Sequence, residues 1–397
     1  MAKRRRNQTL YYLLLGLTLV MVMFGIIMIS SASSILAFNQ QKDSFFYLKR
    51  QLVSLSIGLL VMFVLAKVDY RRLKYLSYVA LFIALGLLGF VILYGKSAYG
   101  SSRWFMIMGF TFQPSELAKL SIAVYAASIL SQKPKWAKDL KKLILPLGVP
   151  ILLAAALVMI QPDMGTTFTI IITVYFLLYL AEAKGWDLVK LALAGVLAGG
   201  LFINFAGYRR ERFLAFLNPW QAPRKTGYQI IQSLYALGSG GISGVGLGLS
   251  RQKFGFLPTP FTDFIFAVIG EELGLFGSIL TILLFVAFGY LGMSIARRST
   301  DRFGRLLAGG LTAMIVAQAL INLGAVTGSL PITGIPLPLI SFGGSSLIFT
   351  LAAIGIILSV AKRGKREPLR RAKNESNNMW RRDGRPRLSR VGSGRGA

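Results

Sequence analysis

The chain has 397 residues, of which 54% are hydrophobic and only 15% charged, with a formal net charge of +30. Apolar runs of spanning length recur along it, which excludes a soluble fold and makes it a polytopic membrane protein. The absence of Cys and His excludes disulfides, Cys or His metal sites and a His general base, so acid–base chemistry falls to carboxylates, Lys or Tyr. The positive charge is concentrated in the two ends and in short loops, a pattern of membrane orientation and not of nucleic-acid binding.

Windows of spanning length predict an all-α domain over 10–361 with about ten transmembrane helices. They lie near 10–30, 52–68, 73–94, 114–131, 143–160, 165–181, 188–206, 264–295, 306–327 and 337–361. Residues 1–9 carry Lys3, Arg4, Arg5 and Arg6 and read as a cytoplasmic N-terminus, with no small-residue cleavage site to mark a signal peptide. Arg71, Arg72 and Lys74, the lysines from Lys133 to Lys142, Lys184, and Arg297 to Arg305 then fall inside in alternation. An even number of spans returns the C-terminus to the cytoplasm, where the basic tail 362–397, rich in Gly, Ser, Asn and Pro, reads as disordered. No internal repeat emerges, which counts against inverted-repeat transporter folds.

Polar clusters sit at the outer helix ends. In "SSRWFMIMGFTFQPSELAKL", Arg103 and Trp104 precede a helix that opens at Pro114 and sets Glu116 and Lys119 three residues apart on one face. Pro114 and Glu116 also suit ordinary N-terminal helix chemistry, which leaves Lys119 unexplained. "QPDMGT" places Asp163 in a turn between two spans, with capping of the next helix as the alternative role. The long extracytoplasmic loop 207–262, between helices seven and eight, carries Arg212, Lys253 and other basic residues, suited to an anionic membrane-anchored substrate or to lipid headgroups. Within it, Tyr228, Ile231, Leu234 and Tyr235 predict a short amphipathic helix lying in the interface. The glycines from Gly238 to Gly248 match neither a P-loop nor a dinucleotide fingerprint, although their amides suit approach to a phosphate.

The loop ends at "TPFTDFIFAVIGEELG". A carboxylate at the membrane face is costly, and Asp263 lies at the mouth of an apolar helix, which makes it the first candidate for chemistry. An N-cap role shared with Thr262, or an ion pair with a loop Arg, is the structural alternative. Glu271 and Glu272, deeper in the helix, suit packing or a polar cavity. "GIPLPLISFGGSS" joins prolines to a Gly–Gly pair and predicts a re-entrant or broken helix, tolerated only against protein or a water-filled cavity.

The ordered set "FLNPW", "GYQIIQSLYALGSGG", "GVGLG", "FLP", "TDFIFAVIGEELG" and "SFGGSS", with "QPSELAKL" and "QPDMGT" upstream, resembles the SEDS family of cell-wall polymerases that includes FtsW, RodA and SpoVE. "GVGLGLSRQKFGFLP" is more similar to the FtsW and SpoVE branch. The resemblance implies a ten-helix fold and a peptidoglycan glycosyltransferase that polymerises lipid II at the outer face of the bacterial cytoplasmic membrane, at the division septum. The essential aspartate of that family falls on Asp263, as catalytic base or metal ligand. Its other motif positions fall on Arg50, Arg103, Trp104, Glu116, Lys119 and Asp163. Arg50, Arg103, Lys119, Arg212 and Lys253 are the basic candidates for the leaving pyrophosphate. A divalent cation, Mg or Mn, is implied, with no organic cofactor. The implied partners are lipid II and undecaprenyl-linked glycan, a class B penicillin-binding protein and other division proteins, and no nucleic acid. A lipid II flippase or a non-catalytic division scaffold are the rival readings. Phe261 stands where a histidine is common in the family, and Phe342 where a tyrosine is common.

Overall fold

The computed structural model describes residues 2–94, 96–98, 101–107, 110–204 and 207–363. Each of the ten expected helices has a counterpart. The first four are α1 (Ala2–Gln41), α2 (Phe46–Lys67), α3 (Tyr70–Tyr94) and α4 (Pro114–Gln132). The fifth is built from α5 (Leu140–Leu143), a π-helical stretch (Ile144–Gly148) and α6 (Val149–Ile160). Pro146, which lacks an N–H, sits inside that stretch, the usual place for a helix to widen by a residue. Then come α7 (Met164–Leu180) and α8 (Gly185–Asn204), the loop helices α9 (Gly207–Leu217) and α10 (Tyr228–Ser239), and α11 (Ile265–Arg298), α12 (Arg302–Val326) and α13 (Gly344–Arg363). Seven of the described helices are long and apolar enough to cross a membrane by length and composition, while α7, with 17 residues, is shorter. The basic tail expected from Lys362 lies, beyond Arg363, outside the described residues.

Burial sorts the helices into centre and rim. The apolar windows of α12 and α13 are 83% and 78% buried, whereas those of α2 and α3 are 28% buried. The outer helices therefore turn most of their apolar surface outward, as a lipid-facing rim does, while α12 packs against α4, α7 and α11 and α13 packs against α1 and α2.

Three features differ from the linear reading. The stretch 95–113 holds a three-stranded antiparallel sheet, β1 (Lys96–Ala98), β2 (Ser101–Ile107) and β3 (Phe110–Phe112), in that order. The amphipathic helix exists as α10, but its buried residues are Ile230, Ile231, Ser233 and Ala236, and it packs on α11 and α12 instead of presenting the expected stripe to the interface. The last span begins at Gly344 and not near 337, so that 331–343 is irregular chain, with Leu337, Leu339 and Ile340 buried. Its backbone finds partners all the same: Leu337 N donates to Ser341 Oγ (2.8 Å), Phe342 N to Phe261 O (2.9 Å) and Gly343 N to Gln51 Oε1 (3.3 Å). Non-helical chain buried among helices needs such satisfaction.

Helix α11 is broken once, at Gly274 (φ 67°, ψ −157°). In an unbroken helix, Leu275 and Phe276 would donate to the carbonyls of Glu271 and Glu272. Here Val245 N and Gly246 N take those carbonyls (3.0 Å each), and Leu275 N donates instead to Gly241 O (3.0 Å). The glycine-rich loop 240–246 is thus spliced into the helix by backbone hydrogen bonds. A Cβ at Gly274 would sit 2.3 Å from Gly244 N and 2.5 Å from Ile242 O, so the exchange requires glycine there.

Candidate functional site

Asp263 lies two residues before α11, in the turn 261–264. The N-cap position of α11 is Phe264, with no side-chain capping bond, so Asp263 is not the cap. Its Oδ1 accepts from Thr259 Oγ1 (3.0 Å) and Thr262 Oγ1 (2.6 Å), and its Oδ2 is 3.9 Å from the place a Cβ would occupy at Gly334. The carboxylate is half-buried. Beside it, Phe261 is 6% exposed and packs against Tyr47 (ring centres 4.4 Å) and Phe342 (5.6 Å). The Phe261 ring thus contributes packing between the start of α2, this turn and the 331–343 segment.

Glu116 and Lys119 are both 3% exposed and form an ion pair on α4, with Lys119 Nζ 3.0 Å and 2.9 Å from the two carboxylate oxygens. Lys119 Nζ also donates to Gln318 Oε1 on α12 (2.6 Å). Glu116 thus lies in the first turn of α4, as ordinary N-terminal helix chemistry expects, and also forms a buried pair whose lysine is bound to a second helix.

Asp163 performs the capping that was its alternative role, since its carboxylate accepts from Thr166 N (3.1 Å) and Thr166 Oγ1 (2.8 Å) at the start of α7. It also accepts from Gln113 Nε2 (3.1 Å) and Ser115 Oγ (3.3 Å), which fastens the α7 turn to the start of α4. Arg103 holds the same turn from β2, its Nε donating to Gln161 O (2.7 Å) and its guanidinium to Pro162 O. Alternation along β2 sends the neighbouring Trp104 to the opposite face of the strand, half-buried.

The basic residues divide sharply. Arg50 is exposed on α2, its guanidinium 4.5 Å from the centre of the Phe46 ring. Lys253 is 2% exposed, and its ammonium is committed to Glu272 (2.9 Å), Gly248 O (2.6 Å) and Ser31 Oγ (3.3 Å). The Arg212 side chain lies outside the described ones, although its backbone falls in α9. Glu271 accepts from Arg251 N (2.8 Å) and from Ser250 Oγ, so both acidic residues of α11 serve to hold the loop.

Gln51, Gln113, Gln318 and Asn322 were not foreseen. Gln318 and Asn322 carry the one available signal, two amides four residues apart within an apolar helix. Among the described residues no three Asp, Glu, His or Cys side chains converge, and a cation at this site would have Asp263 as its carboxylate donor. Hard oxygen donors and a single carboxylate suit Mg or Mn completed by substrate phosphate.

The FtsW, RodA and SpoVE family profile, described as cell cycle protein, matches residues 11–366. Stage V sporulation protein E of Bacillus subtilis is 41% identical over 353 residues, 88% of this chain and 96% of that one. A probable peptidoglycan glycosyltransferase FtsW of Geobacter metallireducens is 39% identical over 357 residues, 89% of this chain and 95% of its own. Among solved structures, a chain from work on the structural coordination of polymerization and crosslinking by a peptidoglycan synthase complex is 31% identical, with a TM-score of 0.75 over 90% of this chain and 98% of that one. Rod shape determining protein RodA of Thermus thermophilus is 28% identical, with a TM-score of 0.65 over 89% of this chain and 97% of its own.

Proposed function

Because this chain belongs to the FtsW, RodA and SpoVE family, within its FtsW and SpoVE branch, we propose that it is a peptidoglycan glycosyltransferase that polymerises lipid II during septal wall synthesis. It is an integral, multi-pass membrane protein. Asp263 is its reacting carboxylate. The observation that carries this role is the half-buried carboxylate outside the helix it precedes, one oxygen oriented by two threonine hydroxyls and the other beside Gly334.

Two undecaprenyl-linked substrates meet at the outer end of α11. Asp263 takes the proton of the acceptor sugar hydroxyl as that oxygen bonds to the donor's anomeric carbon. The bond from that carbon to the pyrophosphate oxygen breaks, and undecaprenyl pyrophosphate leaves with the electron pair. A positioned base is worth about 100- to 10,000-fold. Among the basic candidates whose side chains are described, exposed Arg50 is the one best able to meet the pyrophosphate. In its alternative role, Asp263 would hold a Mg or Mn ion, which would supply charge neutralisation to the leaving pyrophosphate. Both termini are cytoplasmic, and the loop 207–262 lies outside. A class B penicillin-binding protein crosslinks the strands, consistent with the peptidoglycan synthase complex among the structural relatives.

The buried charges favour polymerisation over translocation of lipid II. Glu116, Lys119, Glu271 and Glu272, the groups a polar path needs, are buried and committed to partners within the bundle. Purified protein with its transpeptidase partner, given lipid II, is expected to yield glycan strands resolved by gel, and Asp263→Asn none. Lipid II crossing into vesicles without any glycan product would establish the flippase instead, and absence of both activities the scaffold.

A further inference from the structure

Gln318 and Asn322 stand one turn apart on α12 and are 3% and 2% exposed. A buried amide is costly unless hydrogen-bonded, and here the partners dictate which end of each amide points where. Gln318 Oε1 accepts from Lys119 Nζ (2.6 Å), which can only donate, so Nε2 is turned to Pro336 O (2.9 Å). Asn322 Nδ2 donates to two backbone carbonyls, Asp263 O and Ile335 O, at 2.8 Å each. Between Ile335 and Thr333 lies Gly334, the residue beside Asp263 Oδ2.

Thr259 and Thr262 belong to the same short stretch as Asp263, so their hydroxyls orient the carboxylate within its own turn without fixing that turn in the bundle. Fixing from outside the turn includes Phe342 N on Phe261 O, the packing of Phe261 on Tyr47 and Phe342 and, at the backbone of Asp263, Asn322.

We propose that Gln318 and Asn322 are positioning residues, an amide ladder that links the Glu116–Lys119 pair to the backbone of Asp263 and fixes where its carboxylate stands. Asn322 is the decisive rung. The inference rests on Asp263 being the reacting group. A misplacement of about 1 Å costs on the order of 100-fold in rate, so losing the Asn322 bonds acts on turnover and leaves substrate binding unchanged.

The test compares Asn322→Asp, Asn322→Leu and Gln318→Leu in the full-length protein with its transpeptidase partner and lipid II as substrate. Asn322→Asp keeps the size but sets a carboxylate against two carbonyls, and Asn322→Leu removes the bonds without charge. Both Asn322 variants are expected to lose about 100-fold in kcat with KM within about twofold. Gln318→Leu is expected to lose less, whatever its thermal stability. A kcat within about threefold of wild type, a loss confined to KM, or activities that track unfolding temperature alone would each overturn the proposal. Hydrogen exchange of the 259–264 peptide provides an arm that needs no turnover. Faster exchange there in Asn322→Leu, with the rest of α11 unchanged, is the expected result, and unchanged exchange overturns the proposal. Should Asp263→Asn polymerise normally, the catalytic reading falls, and the exchange arm still decides whether Asn322 fixes the turn.

Discussion

Lys253 and Glu272 meet at 2.9 Å with their side chains 2% and 0% exposed, and Ser31 Oγ of α1 lies 2.7 Å from both carboxylate oxygens. A lysine of the long loop, an acid of α11 and a hydroxyl of α1 thus converge in the interior. Breaking a buried pair from one side strands a charge at a cost of about 3–5 kcal/mol, whereas removing both charges is far less harmful. Lys253→Met and Glu272→Gln are each expected to lower the unfolding temperature in detergent strongly. The double variant is expected to recover most of the loss, and additive losses would remove the pair as a structural unit.

Asp263→Asn is expected to abolish polymerisation while leaving the amount and melting of the membrane-inserted protein unchanged. The residue is half-buried and does not cap α11, and Asn keeps an oxygen that can accept from Thr259 and Thr262. Glycan synthesis at wild-type rate and equal protein level would refute both the base and the metal-ligand roles.

Glu116 and Lys119 are expected to behave as one unit. Each single Ala variant leaves its partner's charge in a 3% exposed site, and loss of Lys119 also deprives Gln318 of its donor. In a double-mutant cycle on thermal unfolding, the two losses are expected to exceed that of the double variant by more than about 1 kcal/mol. Strict additivity would contradict the pairing.

Gly274→Ala is expected to destabilise the protein, although Ala favours helices elsewhere. The positive φ and backbone atoms within 2.5 Å of the new Cβ force the loop 240–246 out of α11. Protease cleavage within 240–253 reads this directly, and resistance equal to wild type would show that the splice tolerates a side chain.

Topology is open to a separate measurement, since the chain has no native Cys. Ser243 and Thr300 are both exposed. Cys at 243 is expected to react with an impermeant thiol reagent in intact cells, and Cys at 300 only after lysis. The reverse pattern would place Asp263 on the cytoplasmic side.

The membrane-crossing helices were legible in the sequence because a bilayer of fixed thickness demands apolar runs of about 20 residues, whatever they pack against. Asp263 stood out as a candidate for a related reason, since a carboxylate at the edge of such a run is conspicuous. Periodicity also found α10, where it identified the helix but not its buried face. A 3.6-residue repeat says that one side is apolar, while whether lipid or protein covers it depends on α11 and α12, distant in sequence. The same distance hid the assignments of charge. Lys253 read as a ligand for pyrophosphate until Glu272 and Ser31, 19 and 222 residues away, were brought to its ammonium. Gln318 and Asn322 drew no reading from the sequence, and only the tertiary fold puts Lys119 and the carbonyl of Asp263 within their reach. Solvent and bilayer act on each segment by itself and leave their mark on local composition. Hydrogen bonds and ion pairs in the interior are decided by which segments meet.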